Sequence, residues 1–226
     1  MPAEAPPEIE RASAHLDAGR PGEAAGLLEA RLARDPEDRL ALNNLACCYL
    51  DLGRPEEALP LLEFGARRWP EDPCLANNLG FALLRAGETE RAEKAFREAL
   101  ARAPGDPETL NNLGLCLSAE SRWDEALDAY REALARIGPA PHPLAADLLN
   151  NLGCAFRDLG TLAEAASAFR RARALKLLDA DLANNLGCTL LALGDRDGAG
   201  AALAEAARLA PEDAAIAGNL RRCREG

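Results

Sequence analysis

The sequence predicts an all-α protein, and three observations support this prediction. Residues that build sheets are scarce, since the 226 residues include no Val, three Ile, four Thr and nine aromatic side chains. Ala, Leu, Arg and Glu, which favour helices, dominate the composition. One short pattern also recurs at an almost constant spacing, which is typical of stacked helical repeats. Because the faces of a sheet need β-branched and aromatic residues, a β or α/β core of this size is excluded.

The recurring pattern is an Asn-Asn-Leu string that begins at Asn43, Asn77, Asn111, Asn150 and Asn184, in steps of 34, 34, 39 and 34 residues. One step before Asn43, the sequence around Gly19 aligns with that around Gly53. One step after Asn184 lies Gly218-Asn219-Leu220. We therefore predict a single domain over residues 5–223. Its six repeats cover about 5–38, 39–72, 73–106, 107–145, 146–179 and 180–213, and a capping helix follows over 212–224.

The second repeat indicates how each repeat divides into two helices. Leu42, Leu45 and Tyr49 recur at helical spacing and form an apolar face. Gly53 ends this first helix, because glycine tolerates the left-handed conformation that a helix C-terminus requires. Pro55 suits the first turn of the second helix.

Three repeats depart from this plan. In the first, Arg11 and Arg31 replace a leucine and a small residue, which predicts an N-terminal cap with a loose inner face. In the fourth, Ser121 takes the place of the turn glycine. In the fifth, Leu177 takes the place of a proline, so we expect the second helix of that repeat to run on towards Leu178.

The one irregular step carries five extra residues, around the proline-rich insertion 138–143. Its three prolines exclude a helix interior and predict a stiff, exposed loop. Such a loop is either an insertion that the surface tolerates or a contact with a partner.

This pattern resembles that of the tetratricopeptide repeat (TPR) family. The third repeat matches the family signature at nearly every position, through Leu79, Gly80, Leu83, Gly87, Ala92, Phe96, Ala99 and Pro104. The small residues let two helix backbones approach, and the large residue fills the neighbouring gap. The resemblance implies a right-handed α-solenoid of tandem helix-turn-helix repeats, in which the first helices line a concave groove.

Composition and charge exclude several function classes. A net charge of −11 opposes binding to nucleic acid or to an anionic membrane surface. No apolar run approaches the length of about 18 residues that a membrane span needs. The start of the chain lacks a secretory signal pattern, so we expect a cytoplasmic protein whose cysteines are free thiols.

The sequence also lacks the motifs of catalysis and of cofactor or metal binding. It has no glycine-rich phosphate loop and no Gly-x-Ser-x-Gly. The only two histidines, His15 and His142, are far apart in the chain, and no Cys-x-x-Cys occurs. We therefore predict a protein that is not an enzyme, with no catalytic residue, no cofactor and no metal.

The asparagine pairs are the most informative polar feature, because helix interiors disfavour asparagine. In the TPR family both positions lie on or beside the groove, and a similar asparagine ladder in the O-linked GlcNAc transferases holds extended peptides. For the first position we favour exposure to the groove: Asn43, Asn77, Asn111, Asn150 and Asn184. The second position either faces the groove or bonds to a neighbouring repeat: Asn44, Asn78, Asn112, Asn151 and Asn185.

One helical turn after each first asparagine, the sequence places Cys47, Phe81, Leu115, Cys154 and Cys188. Phe81 and Leu115 are candidate apolar anchors in the groove, although simple packing explains them equally well. Near one edge of the groove we expect Arg85 and Arg157. Near the other edge the matching positions include Glu108, Asp147 and Asp181.

These features predict an adaptor that binds a protein partner, either an extended peptide or a helix, in the groove. The partner is not a strongly acidic C-terminus, because the basic clamp of chaperone-binding TPR domains is missing here. Two alternatives remain: a scaffold that assembles with copies of itself as a homo-oligomer, and a helical-repeat protein that binds RNA, which the acidic charge opposes.

Overall fold

The computed structural model describes residues 7–176 and 178–225, and within these ranges the chain forms thirteen α-helices. Residues 5 and 6 of the predicted first repeat, and Leu177, lie outside the described residues. The helices are α1 (Pro7–Asp17), α2 (Pro21–Leu32), α3 (Arg39–Asp51), α4 (Pro55–Arg68), α5 (Pro73–Arg85), α6 (Thr89–Arg102), α7 (Pro107–Ala119), α8 (Trp123–Ile137), α9 (Ala145–Asp158), α10 (Leu162–Leu175), α11 (Ala180–Ala192), α12 (Arg196–Leu209) and α13 (Ala214–Glu225). They make six pairs and one last helix.

The contacts between helices divide the chain into two compact units, residues 1–104 and 105–226. In the first unit, α1 to α6 pack in chain order, and α3 also contacts α1 and α5. In the second unit, α7 to α13 pack in chain order, and each odd-numbered helix also contacts the next odd-numbered one. Within each unit the odd-numbered helices therefore form one layer and the even-numbered helices the other.

Aspartate side chains start most of the odd-numbered helices. Asp38, Asp72, Asp106 and Asp179 each stand at the N-cap and accept a hydrogen bond from a backbone N–H of the first turn. Helix α9 differs, because the proline-rich insertion replaces the aspartate and Leu144 at its N-cap offers no side-chain acceptor. The insertion thus forms a loop between α8 and α9, as the prolines predict.

The turns between paired helices need one residue with a positive φ angle. Glycine supplies it in five repeats, with φ between 67° and 84°, at Gly19, Gly53, Gly87, Gly160 and Gly194. In the fourth repeat Ser121 occupies the same position, at φ 61°, and no other non-glycine residue of the described chain has a positive φ.

Two expectations drawn from unusual residues are wrong. Helix α10 ends at Leu175 and does not run on towards Leu178, because Asp179 needs an extended backbone to cap α11. The first repeat has no loose inner face, since Ala12 and Leu28 are fully buried. Arg31 instead donates from Nε to Asp38 at 2.7 Å, which joins the end of α2 to the start of α3.

Each helix pair interlocks where a small residue faces a large one. A Cβ atom added to Gly80, Gly114 or Gly153 would lie 2.4–2.7 Å from the ring of Phe96, Tyr130 or Phe169, respectively. All three rings are buried. At the matching places of the second repeat the sequence has Ala46 and the smaller Leu62, both fully buried. In these four repeats glycine thus accompanies an aromatic ring, and alanine accompanies leucine. The sixth repeat differs, because Gly187 there faces the buried Leu203, 2.6 Å from an added Cβ.

This complementarity predicts a coupled pair of substitutions. Gly153→Ala should destabilise the protein by about 1 kcal/mol or more, because overpacking against Phe169 exceeds the gain in helix propensity. Adding Phe169→Leu should recover part of that loss, so that a double-mutant cycle in urea unfolding gives a coupling of about 1–2 kcal/mol. The control is Gly218→Ala, where no atom lies within 4 Å of the added Cβ and stability should not fall. Additive effects of the two substitutions would contradict the interlock.

The turn at Ser121 gives a second prediction. Ser121→Gly should stabilise the protein by about 0.5–1 kcal/mol, because a residue with a Cβ is strained at this φ. The reverse change at the matching turn, Gly87→Ser, should lower stability by a similar amount. Thermal unfolding of the two variants beside the wild type measures both effects, and a Ser121→Gly variant that melts below the wild type would refute the strain.

Candidate functional site

The asparagine pairs lie on the layer of odd-numbered helices and are linked to one another between repeats. Nδ2 of Asn78 in α5 donates to Oδ1 of Asn43 in α3 at 2.8 Å. In the second unit, Asn151 donates to Asn111 at 2.9 Å and Asn185 donates to Asn150 at 3.0 Å. In every case the second asparagine of a repeat reaches back to the first asparagine of the repeat before it. We call this series of side-chain hydrogen bonds the asparagine ladder.

The ladder extends one step beyond the five pairs that the sequence singles out. Asn219 in α13 donates from Nδ2 to Oδ1 of Asn184 at 2.8 Å, and Arg222 donates to Oδ1 of Asn219. Asn219 is not among the site residues predicted above. The signal was present, because α13 keeps the second asparagine of the pair while Gly218 takes the place of the first.

At its N-terminal end the ladder begins in α3, because α1 has no asparagine at the matching position. In α1 the residue that matches a first asparagine is Ile9, which cannot accept a hydrogen bond through its side chain. Asn44 in α3 therefore has no first asparagine before it to which it could donate. It is half-buried, and the second asparagines Asn78, Asn151 and Asn185 are half-buried as well.

The ladder engages the side-chain oxygen of four first asparagines, Asn43, Asn111, Asn150 and Asn184, and leaves their amide hydrogens without an acceptor within the described chain. Asn43, Asn150 and Asn184 are half-buried. Asn77 and Asn111 expose only 7% and 8% of their surface, and Asn112 exposes 7%. Exposure of the first asparagines is thus uneven, and Asn150 and Asn184 are the more accessible ones in the second unit.

One helical turn after the first asparagines lies a row of half-buried apolar side chains. These residues are Cys47 and Phe81 in the first unit and Leu115, Cys154 and Cys188 in the second. Burial raises the pKa of the Cys154 and Cys188 thiols above the ordinary value. Both thiols are therefore neutral near pH 7, and none of the seven cysteines forms a disulfide. The row presents an uncharged, weakly polar strip beside the asparagines.

The predicted basic residues lie beside this strip. The guanidinium carbon of exposed Arg85 is 5.9 Å from the centre of the Phe81 ring, a cation–π distance. Half-buried Arg157 donates from Nη1 to Oδ1 of Asn185 at 3.5 Å and lies 3.4 Å from Asp158. The structure thus brings Arg85 to one candidate anchor and Arg157 to the asparagine ladder.

The described residues offer neither a metal site nor a membrane-spanning helix. Among the described residues, no group of three His, Cys, Asp or Glu side chains is placed to hold a metal ion. No helix in the same part of the chain combines the length and apolar character needed to cross a membrane.

Comparison with family models agrees with the repeat pattern. Three models described as tetratricopeptide repeat match the sequence. The first matches residues 71–137 and 105–178, the second residues 9–73 and the third residues 180–213. No curated protein matches the chain.

Several solved structures share the fold at low sequence identity. A chain of the APC/C hetero-tetramer Cut9–Hcn1 is 21% identical, with a TM-score of 0.89 over 96% of this chain, which spans only 42% of that longer chain. PilW, a type IV pilus biogenesis factor, is 20% identical, with a TM-score of 0.83 over 95% of this chain and 96% of its own. YrrB, described as a TPR protein with an unusual peptide-binding site, is 19% identical, with a TM-score of 0.62 over 86% of this chain and 97% of its own.

The ladder predicts different costs for two asparagines at the same repeat position. Asn78→Ala removes the donor to Asn43 and should lower the free energy of unfolding by about 1 kcal/mol more than Asn44→Ala, which breaks no ladder bond. The two changes share the same gain in helix propensity, so the difference between them reports the side-chain bonds of Asn78, which are the ladder bond to Asn43 and weaker contacts with Cys47 and Asn77. Urea unfolding of both variants measures this difference, and equal stabilities would show that the ladder contributes nothing.

Proposed function

Because the chain belongs to the tetratricopeptide repeat family, we propose that it is a non-enzymatic adaptor that binds a segment of a partner protein. The TPR fold supports protein–protein scaffolding in general. The proposed binding surface is the odd-helix face. This name stands for the first asparagines together with the apolar strip: Asn43, Cys47, Asn77 and Phe81 in the first unit, and Asn111, Leu115, Asn150, Cys154, Asn184 and Cys188 in the second.

The observation that carries the proposal is that the amide hydrogens of Asn43, Asn111, Asn150 and Asn184 have no acceptor among the described residues. The ladder occupies Oδ1 of Asn150 and Asn184 with bonds from Asn185 and Asn219. Their amide groups can then donate outward to an acceptor that the protein itself does not supply. A peptide backbone offers one carbonyl acceptor per residue, whatever its side chains are. An extended segment therefore suits this surface, and a helix whose polar side chains accept these bonds is the second form of partner.

The apolar strip beside the asparagines can contact the side chains of the same partner segment. Leu115, Cys154 and Cys188 are half-buried and uncharged, so an apolar side chain of the partner can displace water there. Phe81 offers the corresponding surface in the first unit, with Arg85 at its ring. Hydrogen bonds would thus hold the backbone of the partner, and the strip would select among its side chains.

Two of the compared proteins are consistent with such a role. The Cut9–Hcn1 structure is an assembly of different chains, and YrrB is described with a peptide-binding site. Both share only the fold with this chain, so they support the class of function and name no partner for it.

The proposal can be tested with variants that separate binding from folding. Asn150→Asp with Asn184→Asp keeps the oxygen that the ladder uses but removes both outward donors. A peptide selected by the wild type from a random phage-displayed library should bind this double variant about tenfold more weakly or worse. Fluorescence polarisation with the labelled peptide measures the affinity, and thermal unfolding should show that the fold is retained.

The matched control is Asn44→Asp, which adds a carboxylate to an odd-numbered helix without touching the ladder. It should change the affinity less than twofold. A wild-type protein that enriches no peptide would contradict the proposal. So would a peptide that binds the double variant as tightly as the wild type.

A further inference from the structure

A pocket in the second unit lies where the proline-rich insertion enters α9. It has a volume of about 480 Å³ and lies between the first turns of α7 and α9 and the loop that precedes α9. The insertion contributes His142, Pro143 and Leu144 to its wall. This volume falls within the range of about 300–1,000 Å³ that small ligands and side chains occupy.

Three carboxylates line the pocket, and they are engaged to different degrees. Asp106 caps α7, where it accepts hydrogen bonds from the backbone N–H of Thr109 at 2.8 Å and from its hydroxyl at 2.6 Å. Asp147 pairs through Oδ1 with Nζ of Lys176 at 2.6 Å. Exposed Glu108 has no ion pair or hydrogen bond within the described chain. Of the three carboxylates only Asp147 has a basic partner, so the wall keeps a negative excess.

An independent feature of the pocket is a buried asparagine with unused donors. Asn111 lines the pocket and exposes only 8% of its surface. Its Oδ1 accepts the ladder bond from Asn151, whereas its Nδ2 has no acceptor among the described residues. This nitrogen is not shielded from solvent, so it can donate to a ligand that brings an acceptor into the pocket.

The two features together define the chemistry of an occupant. It must carry a positive charge for the carboxylates and a neutral acceptor, such as a carbonyl oxygen, for Asn111. A residue of a peptide chain with a basic side chain has both, a few ångströms apart. An anion would be repelled by the carboxylates, and a residue with an apolar side chain would leave the charge of Glu108 without a partner.

We propose that this pocket binds a lysine or arginine residue of the partner segment. Asn111 donates to the carbonyl of that residue, and Glu108 with Asp147 binds its charged side chain. The inference rests on the proposed function, because it assigns a preferred residue to the peptide that the odd-helix face holds. The insertion is then the element that makes the fourth and fifth repeats selective for a basic residue.

The test compares two carboxylates that share one repeat position. Glu108 lines the pocket, and Asp181 occupies the matching place in α11 outside it. Peptides selected by the wild type from the random library should share a Lys or Arg at one position. Glu108→Gln should weaken such a peptide about fivefold or more, and Asp181→Asn less than twofold. Replacing the shared basic residue of the peptide by norleucine should weaken wild-type binding by a similar factor, and should cost little against Glu108→Gln.

The outcomes separate this inference from the proposed function. Selected peptides without a shared basic residue would overturn the pocket assignment and leave the adaptor role standing. Equal losses from Glu108→Gln and Asp181→Asn would show a general charge effect and would also overturn it. If the wild type selects no peptide, both proposals fail. Thermal unfolding of the two variants provides the check on folding.

Discussion

The contact between a small residue in each odd-numbered helix and a large residue in the helix that follows determines how closely every pair packs. Phe96, Tyr130 and Phe169 are buried against glycines, and any larger side chain in place of those glycines would overlap the rings. Close pairing brings the odd-numbered helices of a unit into one layer. Only within such a layer can an asparagine of one repeat reach an asparagine of the next. The ladder and the surface it presents are therefore consequences of the interlock.

The ladder also determines which hydrogen-bonding groups of the asparagines remain available to a partner. An asparagine side chain has one acceptor oxygen and two amide hydrogens. The second asparagines, Asn151 and Asn185, use their donors within the protein, and the first asparagines receive those bonds at their oxygens. The first asparagines that accept these bonds therefore keep amide hydrogens for an acceptor outside the protein. A surface of donors beside neutral thiols differs from a basic clamp, because it can bind a backbone without requiring an acidic side chain.

The sequence was sufficient for the repeats and for the interlock. The period and the alternation of glycine or alanine with large residues are local patterns, and the helices begin and end where Asp, Pro and Gly place them. The role of each asparagine depended instead on the distance between helices of successive repeats, which no local pattern specifies. The two ends of the repeats held a clue. One repeat before Asn44, Ile9 stands where a first asparagine would be, and beside Asn219, Gly218 does. In the last helix a second asparagine can still bond to the preceding repeat. A first asparagine there would have no following repeat from which to accept a bond.

The proline-rich insertion illustrates what sequence patterns could not provide. Its prolines predicted a loop, but the course of that loop depends on the helices it joins. In the structure it replaces the aspartate cap of α9 and brings His142 and Leu144 beside α7. Glu108 and Asp147 then face one pocket, although they are separated by 39 residues in the chain. An insertion that leaves the helix pairs intact can therefore alter the binding surface at one junction alone. In the proposed function the repeated asparagines bind the backbone of the partner, and this junction adds a preference to those that the apolar strip provides.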